Sequence, residues 1–313
     1  MKTKNPYRVG AIHFPGDNRL GKWCQIAGYL ALPAILAGVA GLDVGAPRWA
    51  VMWSVALAMY IVFKGLAYLM AGRDPAREAK PGALWSWFIF WPGMDPGPFL
   101  ETPHPRDTAT SAGEWTRAFA IVCMGVFILY AGARQVPQEN IVAIGWIGMA
   151  GFLLILHFGV FKVLALYWRS RGIPVDPIMN SPYRAESVAE FWGKRWNRAF
   201  RDLAWSTLVR PLRGIIGATG SLLVVFAVSG LIHELVVSYP ARGGYGGPSV
   251  YFLIQGFGSM IQRTRTLKAL GMHKGFKGWI FTMICVLAPA FWLFHPTFMK
   301  SVFVPFMRAI GAL

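Results

Sequence analysis

Five ionisable side chains fall inside long apolar runs of this sequence: Lys64, His157, Lys162, His233 and Glu234. A charged group at mid-bilayer costs about 2.5–3.5 kcal/mol on insertion scales, so each such residue needs an escape route or a function. Lys64 and Lys162 stand within about two turns of one end of their runs and are expected to snorkel to the headgroups. His157 is alone. The commoner fate of such a residue is a neutral imidazole hydrogen-bonded to a neighbouring helix; the other is a place in the wall of a substrate cavity. His233 and Glu234 differ, because they are adjacent in SGLIHELVVSYP (229–240). Neighbours on a helix point about 100° apart, so the two cannot share one partner. Ser229 and Ser238 lie one turn away on either side and offer local hydroxyls. The pair reads either as polar glue between helices or as a histidine reached by substrate. Imidazole, with an unperturbed pKa near 6.5, suits general-base work in the second case.

Several chemistries are absent from the sequence. No two histidines lie within one helical turn, so no helix-borne metal pair is expected, and no metal or cofactor. GxSxG and GxxxxGK[ST] do not occur. Glu234 is the lone acid within the apolar runs, whereas a proton-coupled transporter usually needs a longer relay of carboxylates.

The elements that must position these groups are membrane helices. Of 313 residues, 55% are hydrophobic and 14% charged, against about 25% charged in an average soluble domain. Apolar runs at 24–42, 49–71, 117–133, 140–168, 215–238, 249–262 and 278–294 approach the roughly 20 residues a bilayer span needs. The sixth is short, and 83–92 and 301–312 are re-entrant or interfacial candidates. None alternates as barrel strands do, so the expected fold is all-α and polytopic, with about seven to nine transmembrane helices. The net charge is +17, and its placement is informative. Lys plus Arg counts in successive inter-span segments are five, one, five, one, nine, one and five. This alternation is the positive-inside pattern and puts the N-terminus in the cytoplasm, of a bacterial inner membrane or of the endoplasmic-reticulum type. The charge thus reads as topology and attraction to anionic lipid, not nucleic-acid binding. Cys24, Cys123 and Cys285 lie in or beside apolar runs without metal-type spacing, and no disulfide framework is expected. The 23 residues before the first run read as the flank of an uncleaved anchor. No internal repeat or low-complexity linker divides residues 1–313, so one domain is expected.

Two segments on the cytoplasmic side are long. Residues 72–116 contain WPGMDPGPFLETPHP and are expected to be a loop on or in the membrane surface, because each Pro removes a backbone donor. In residues 169–214, Ser187 and Glu190 have the spacing of a capping box, so a helix should start there. Continued at 100° per residue, it places Val188, Trp192, Trp196, Ala199 and Leu203 on one face and Lys194, Arg198 and Arg201 on the other. Asn197 lies toward the polar side. Such a helix is interfacial, and Arg210-Pro211 should end it before the fifth span.

AEFWGKRWNRAFRDL (189–203), followed by VSGLIHELVVSYP (228–240), resembles the core of the membrane-bound O-acyltransferases, and most of all their wax-synthase-like branch. WPGMDP (91–96) is similar to the same branch, and the recognisable core runs from about 85 to 265. His-x4-Asp, the motif of another acyltransferase class, is absent. The resemblance implies transfer of an acyl group from acyl-CoA, as co-substrate, to a hydroxyl of a long-chain alcohol or similar lipid. It also implies an active site formed by Asn197 and His233, which are 36 positions apart. In that case His233 is the base, and Asn197 donates to the developing oxyanion or orients His233. Trp192, Trp196, His157, Ser229 and Glu234 are expected to line the substrate site, and Lys194, Arg195, Arg198 and Arg201 to meet the phosphates of CoA. Ordinary interfacial anchoring is an equal reading for those four cations. A transporter or flippase with a His/Glu polar site, and a non-catalytic lipid-binding relative, stand as the other classes. Membrane lipids are partners in every case, and the oligomeric state is not legible.

Overall fold

A computed structural model of the protein describes residues 45–70, 82–100 and 108–313. The run 24–42, Cys24, the basic N-terminal flank and most of 72–82 lie outside the described residues. The main helices are α1 (Arg48–Met70), α2 (Ala83–Phe90), α3 (Ala112–Gln135), α4 (Ile141–Ser170), α5 (188–195), α6 (Arg198–Ala241), α7 (Gly247–Ile261), α8 (Gly275–Leu293) and α9 (296–309), with short helical turns at Gly97–Leu100, Pro182–Arg184 and Arg265–Ala269. No strand occurs among the described residues. Five of these helices, α1, α3, α4, α6 and α8, are long and apolar enough to cross a bilayer. Large apolar side chains such as Leu57, Phe127, Ile215, Leu231, Ile284 and Leu287 are exposed on them, as expected where lipid is the solvent. The protein is an integral membrane protein. α7 has 15 residues, about 22 Å of helix, and falls short of a bilayer core of about 30 Å.

Small residues set the closest helix contacts. A Cβ on Gly125 of α3 would lie 2.7 Å from the Gly151 carbonyl of α4, and one on Gly151 would lie 2.8 Å from the Gly125 carbonyl. The two backbones therefore touch, which is how apolar helices gain contact energy in lipid. α3 begins at a full capping box, Ser111 with Glu114, that the sequence reading passed over. α6 spans 44 residues, about 66 Å, roughly twice a bilayer core. It bends at Gly217, whose φ of 72° and ψ of 175° are not helical. The expected break at Arg210-Pro211 does not occur. The π turn Trp205–Val209 just upstream widens the helix where the Pro211 ring would press on the preceding turn.

Of the expected loop WPGMDPGPFLETPHP, the WPGMDP part is non-helical, but α2 forms just before it and Gly97–Leu100 makes a short helical turn just after it. A helix end leaves carbonyls without intrahelical donors, and Pro92 supplies none. Side chains from other helices fill the gap. Lys64 Nζ donates to the Trp87 and Gly93 carbonyls at 3.0 and 2.7 Å. Tyr60 reaches the Phe88 and Trp91 carbonyls, and the Trp168 indole reaches that of Phe90. Lys64 therefore does not snorkel. It is 0% exposed, and its ammonium sits 3.8 Å from the Trp87 ring centroid. Backbone acceptors and aromatic faces hold it more closely than the headgroups would. Lys162 is half-buried and ends on Glu114 at 3.1 Å, which also receives Arg169.

Candidate active site

Ser187 accepts a hydrogen bond from the Glu190 backbone at 3.1 Å, so α5 starts where expected. The reciprocal half of the capping box is not made. Glu190 instead accepts from the Glu186 backbone and pairs with Arg195 at 2.7 Å. The start of α5 is also gripped from α7. Gln262 accepts from the Val188 backbone at 2.8 Å and donates toward the Glu186, Met272 and Thr282 oxygens.

The continuous amphipathic helix of the sequence reading is broken in two. α5 closes with a π turn, Phe191–Arg195, in which the Trp196 amide bonds the Phe191 carbonyl. Trp196 is then extended, and Asn197 is left-handed at φ 40°, ψ 62°. Asn tolerates that region better than most residues because its short polar side chain bonds locally. Here Asn197 Oδ1 accepts from the Phe200 backbone at 3.2 Å and caps the start of α6. Its Nδ2 makes no hydrogen bond among the described residues, so a donor is left over.

His233 ends the α-helical stretch of α6, just before the π turn Glu234–Ser238. Its Nδ1 lies 2.7 Å from the Ser229 carbonyl. A carbonyl can only accept, so Nδ1 carries the proton and Nε2 of the neutral ring is left with its lone pair. Nε2 has no hydrogen-bond partner among the described residues. The imidazole packs on Phe252 of α7 with ring centroids 4.5 Å apart.

Phe252 connects the two motif segments. It touches His233 on one side and Trp192 of α5 on the other, at 5.6 Å. Trp192 contacts Trp196 at 6.3 Å, and Trp196 stacks on His157 of α4 at 5.6 Å with planes 17° apart. A row of rings thus runs His233–Phe252–Trp192–Trp196–His157 across four helical segments, with Asn197 next to its Trp196 member. Hydrogen bonding does not join Asn197 to His233 directly. His157 has no hydrogen bond to a neighbouring helix among the described residues, contrary to expectation. Its Nδ1 is buried without a partner, inside the π turn Leu154–Val160. Gln255, fully buried, accepts from the Trp192 indole at 3.2 Å and donates to the Cys285 carbonyl at 2.8 Å. Gln255 and Gln262 were missed because only ionisable residues were sought inside the runs. Seven positions apart, they share one face of α7, and that spacing was visible.

Most of the remaining predicted site residues are engaged by partners within the protein. Ser229 partners His233 through its carbonyl, and its hydroxyl returns to Val225. Ser238 does not meet Glu234. It lies 3.4 Å from His295, an imidazole the sequence reading did not single out. Glu234 Oε1 accepts from the Gly246 and Ser249 backbones and the Ser249 hydroxyl. Arg195 engages Glu190 and the Asn180 and Ser181 carbonyls, Arg198 engages Asp176 at 3.0 Å, and Arg201 engages Asp202 and the Gly193 carbonyl. Lys194 is the exposed member of the four.

The two polar motifs thus lie along one row of aromatic rings, His233 at its end and Asn197 beside its Trp196 member. Residues 175–255 match the family described as Membrane bound O-acyl transferase family. The chain is 28% identical over 158 residues to a long-chain-alcohol O-fatty-acyltransferase of Simmondsia chinensis, covering 44% of this chain and 42% of that one. It is 31% identical over 215 residues to a probable long-chain-alcohol O-fatty-acyltransferase 9 of Arabidopsis thaliana, covering 63% and 62%. An acyl-CoA–sterol O-acyltransferase 1 of the same plant is 24% identical over 223 residues, covering 63% and 61%. The matched regions thus span less than two thirds of these relatives.

Proposed function

We propose that this protein transfers a fatty acyl group from acyl-CoA to the hydroxyl of a long-chain alcohol or a similar lipid. The observation that carries this reading is the state of His233: Nδ1 anchored to the Ser229 carbonyl, Nε2 unbonded, and the ring held against Phe252. An alcohol is a poor nucleophile until its proton is taken as it attacks. In the proposed step, Nε2 accepts that proton while the alcohol oxygen bonds the thioester carbon. The C–S bond then breaks, and the imidazolium returns the proton to the departing CoA sulfur. The products are an ester and free CoA, with no net proton change. Charge builds on the carbonyl oxygen in between, and the unpaired Nδ2 of Asn197 is the donor suited to it.

The names of the relatives point to fatty alcohols and sterols as acceptors. An exposed apolar outer surface lets such a lipid enter from the bilayer. With the N-terminus in the cytoplasm, α5 and its cations face the compartment that holds CoA. Because Arg195, Arg198 and Arg201 are bound to internal carboxylates and carbonyls, interfacial anchoring and segment bracing account for them more fully than phosphate binding does. The test is to incubate the purified protein with labelled acyl-CoA and a panel of long-chain alcohols, sterols and diacylglycerol. Ester formation with stoichiometric CoA release is expected. Binding of these lipids without CoA release would instead favour the transporter or lipid-binding class.

A further inference from the structure

Glu234 adjoins His233 in the chain, yet its side chain serves another helix. α7 starts at Gly246, which has no side chain to cap it and stands at φ 87°. Two residues on, Pro248 has no N–H. Gly247 N bonds the Gly244 carbonyl at 3.1 Å, and Glu234 Oε1 takes three further donors: Gly246 N at 3.0 Å, Ser249 N at 3.1 Å and Ser249 Oγ at 2.9 Å. A carboxylate borrowed from α6 thus does the work of the missing N-cap, with its charge at the positive end of the α7 dipole. Its other oxygen, Oε2, is buried and has no partner among the described residues.

The same end of α7 is pressed against α6. A Cβ on Gly230 would lie 2.8 Å from Ser249 Cα, so the backbones meet there. One contact point alone would let α7 rotate or slide. The Gly230–Ser249 approach and the Glu234 cap together fix both its axial position and its rotation. Three residues after Ser249 comes Phe252, which is 4% exposed and wedged between the His233 imidazole and Trp192. The register of α7 therefore decides where the ring that flanks His233 sits.

We propose that Glu234 is a positioning residue, which caps α7 so that Phe252 holds the His233 imidazole in its working plane. This rests on the reading of His233 as the base. The test uses the purified full chain with two readouts: acyl-transfer kinetics, and the rate at which diethyl pyrocarbonate modifies His233, followed by mass spectrometry with His157 and His295 as internal references. Glu234→Ala should lower kcat by about 10²-fold, the usual loss for small misplacements, with KM for acyl-CoA little changed. It should also raise His233 modification several-fold. Glu234→Gln retains an oxygen for the same donors and should restore both readouts to near the parent values.

Because Glu234 acts through Phe252, the double variant Glu234→Ala/Phe252→Leu should be no slower than the slower single. Multiplied losses would overturn the proposal. So would a His233 modification rate that Phe252→Leu leaves unchanged, even if Glu234→Ala does not fold. A parent protein with no acyl transfer to any acceptor would end the enzyme reading, while the modification rates would still decide whether Glu234 holds His233 in place.

Discussion

His233 and His157 are both imidazoles on apolar helices, both sit beside π turns, and both pack against aromatic rings. They differ in what holds their nitrogens. His233 gives Nδ1 to a carbonyl 2.7 Å away, which fixes its tautomer. His157 leaves Nδ1 buried and unpaired and is held by stacking on Trp196. An aromatic neighbour can place a ring, but only a directional partner decides which nitrogen is basic. By that criterion His233 suits the base of the proposed reaction, and His157, with Nδ1 unpartnered among the described residues, suits a wall of the proposed site.

The comparison can be broken most decisively at His233. His233→Ala should cost about 10²–10⁴-fold in acyl transfer at unchanged membrane insertion, measured as ester formed per mole of folded protein. Full activity would remove the mechanism. Asn197 comes next, because its two functions separate chemically. Asn197→Asp keeps an oxygen for the Phe200 backbone but loses the Nδ2 donor, so about 10²-fold in kcat should disappear with the thermal midpoint held. Asn197→Ala should lose the cap as well, about 1 kcal/mol of stability. Lys64 extends the comparison to a fully tethered cation. Lys64→Ala strands the Trp87 and Gly93 carbonyls and should lower stability by about 2–3 kcal/mol, read as an earlier thermal unfolding in detergent. The smallest effect belongs to His157. His157→Phe preserves the stack on Trp196 and should change kcat by no more than about threefold, under 1 kcal/mol. A loss as large as that of His233→Ala would erase the distinction between the two.

The membrane-helix architecture was legible because runs of apolar residues have one backbone solution in lipid. His233 was legible too, since an ionisable group inside such a run is conspicuous. The course of the backbone around Asn197 was not. A helical wheel assumes 100° per residue throughout, whereas the π turn at Phe191–Arg195 and the left-handed Asn197 reset the phase between Trp192 and Ala199. Lys64 was misread because position along a helix says how far a side chain is from the headgroups. It does not say whether nearer acceptors exist, and those came from α2 and the segment after it, over twenty residues away. Gln255 and Gln262 are neutral and gave no charge signal, although together they tie α7 to the start and the middle of α5. Phe252 looked like any other apolar residue of its run, and its importance comes from the partner it touches.

The atom that sets the tautomer of His233 belongs to the main chain. Every residue type at position 229 supplies the same oxygen, so exchanging Ser229 for Ala would leave the anchor untouched, and side-chain scanning of α6 would not reveal it. Only a change in the path of the helix itself, such as an inserted or deleted residue between 229 and 233, would withdraw it.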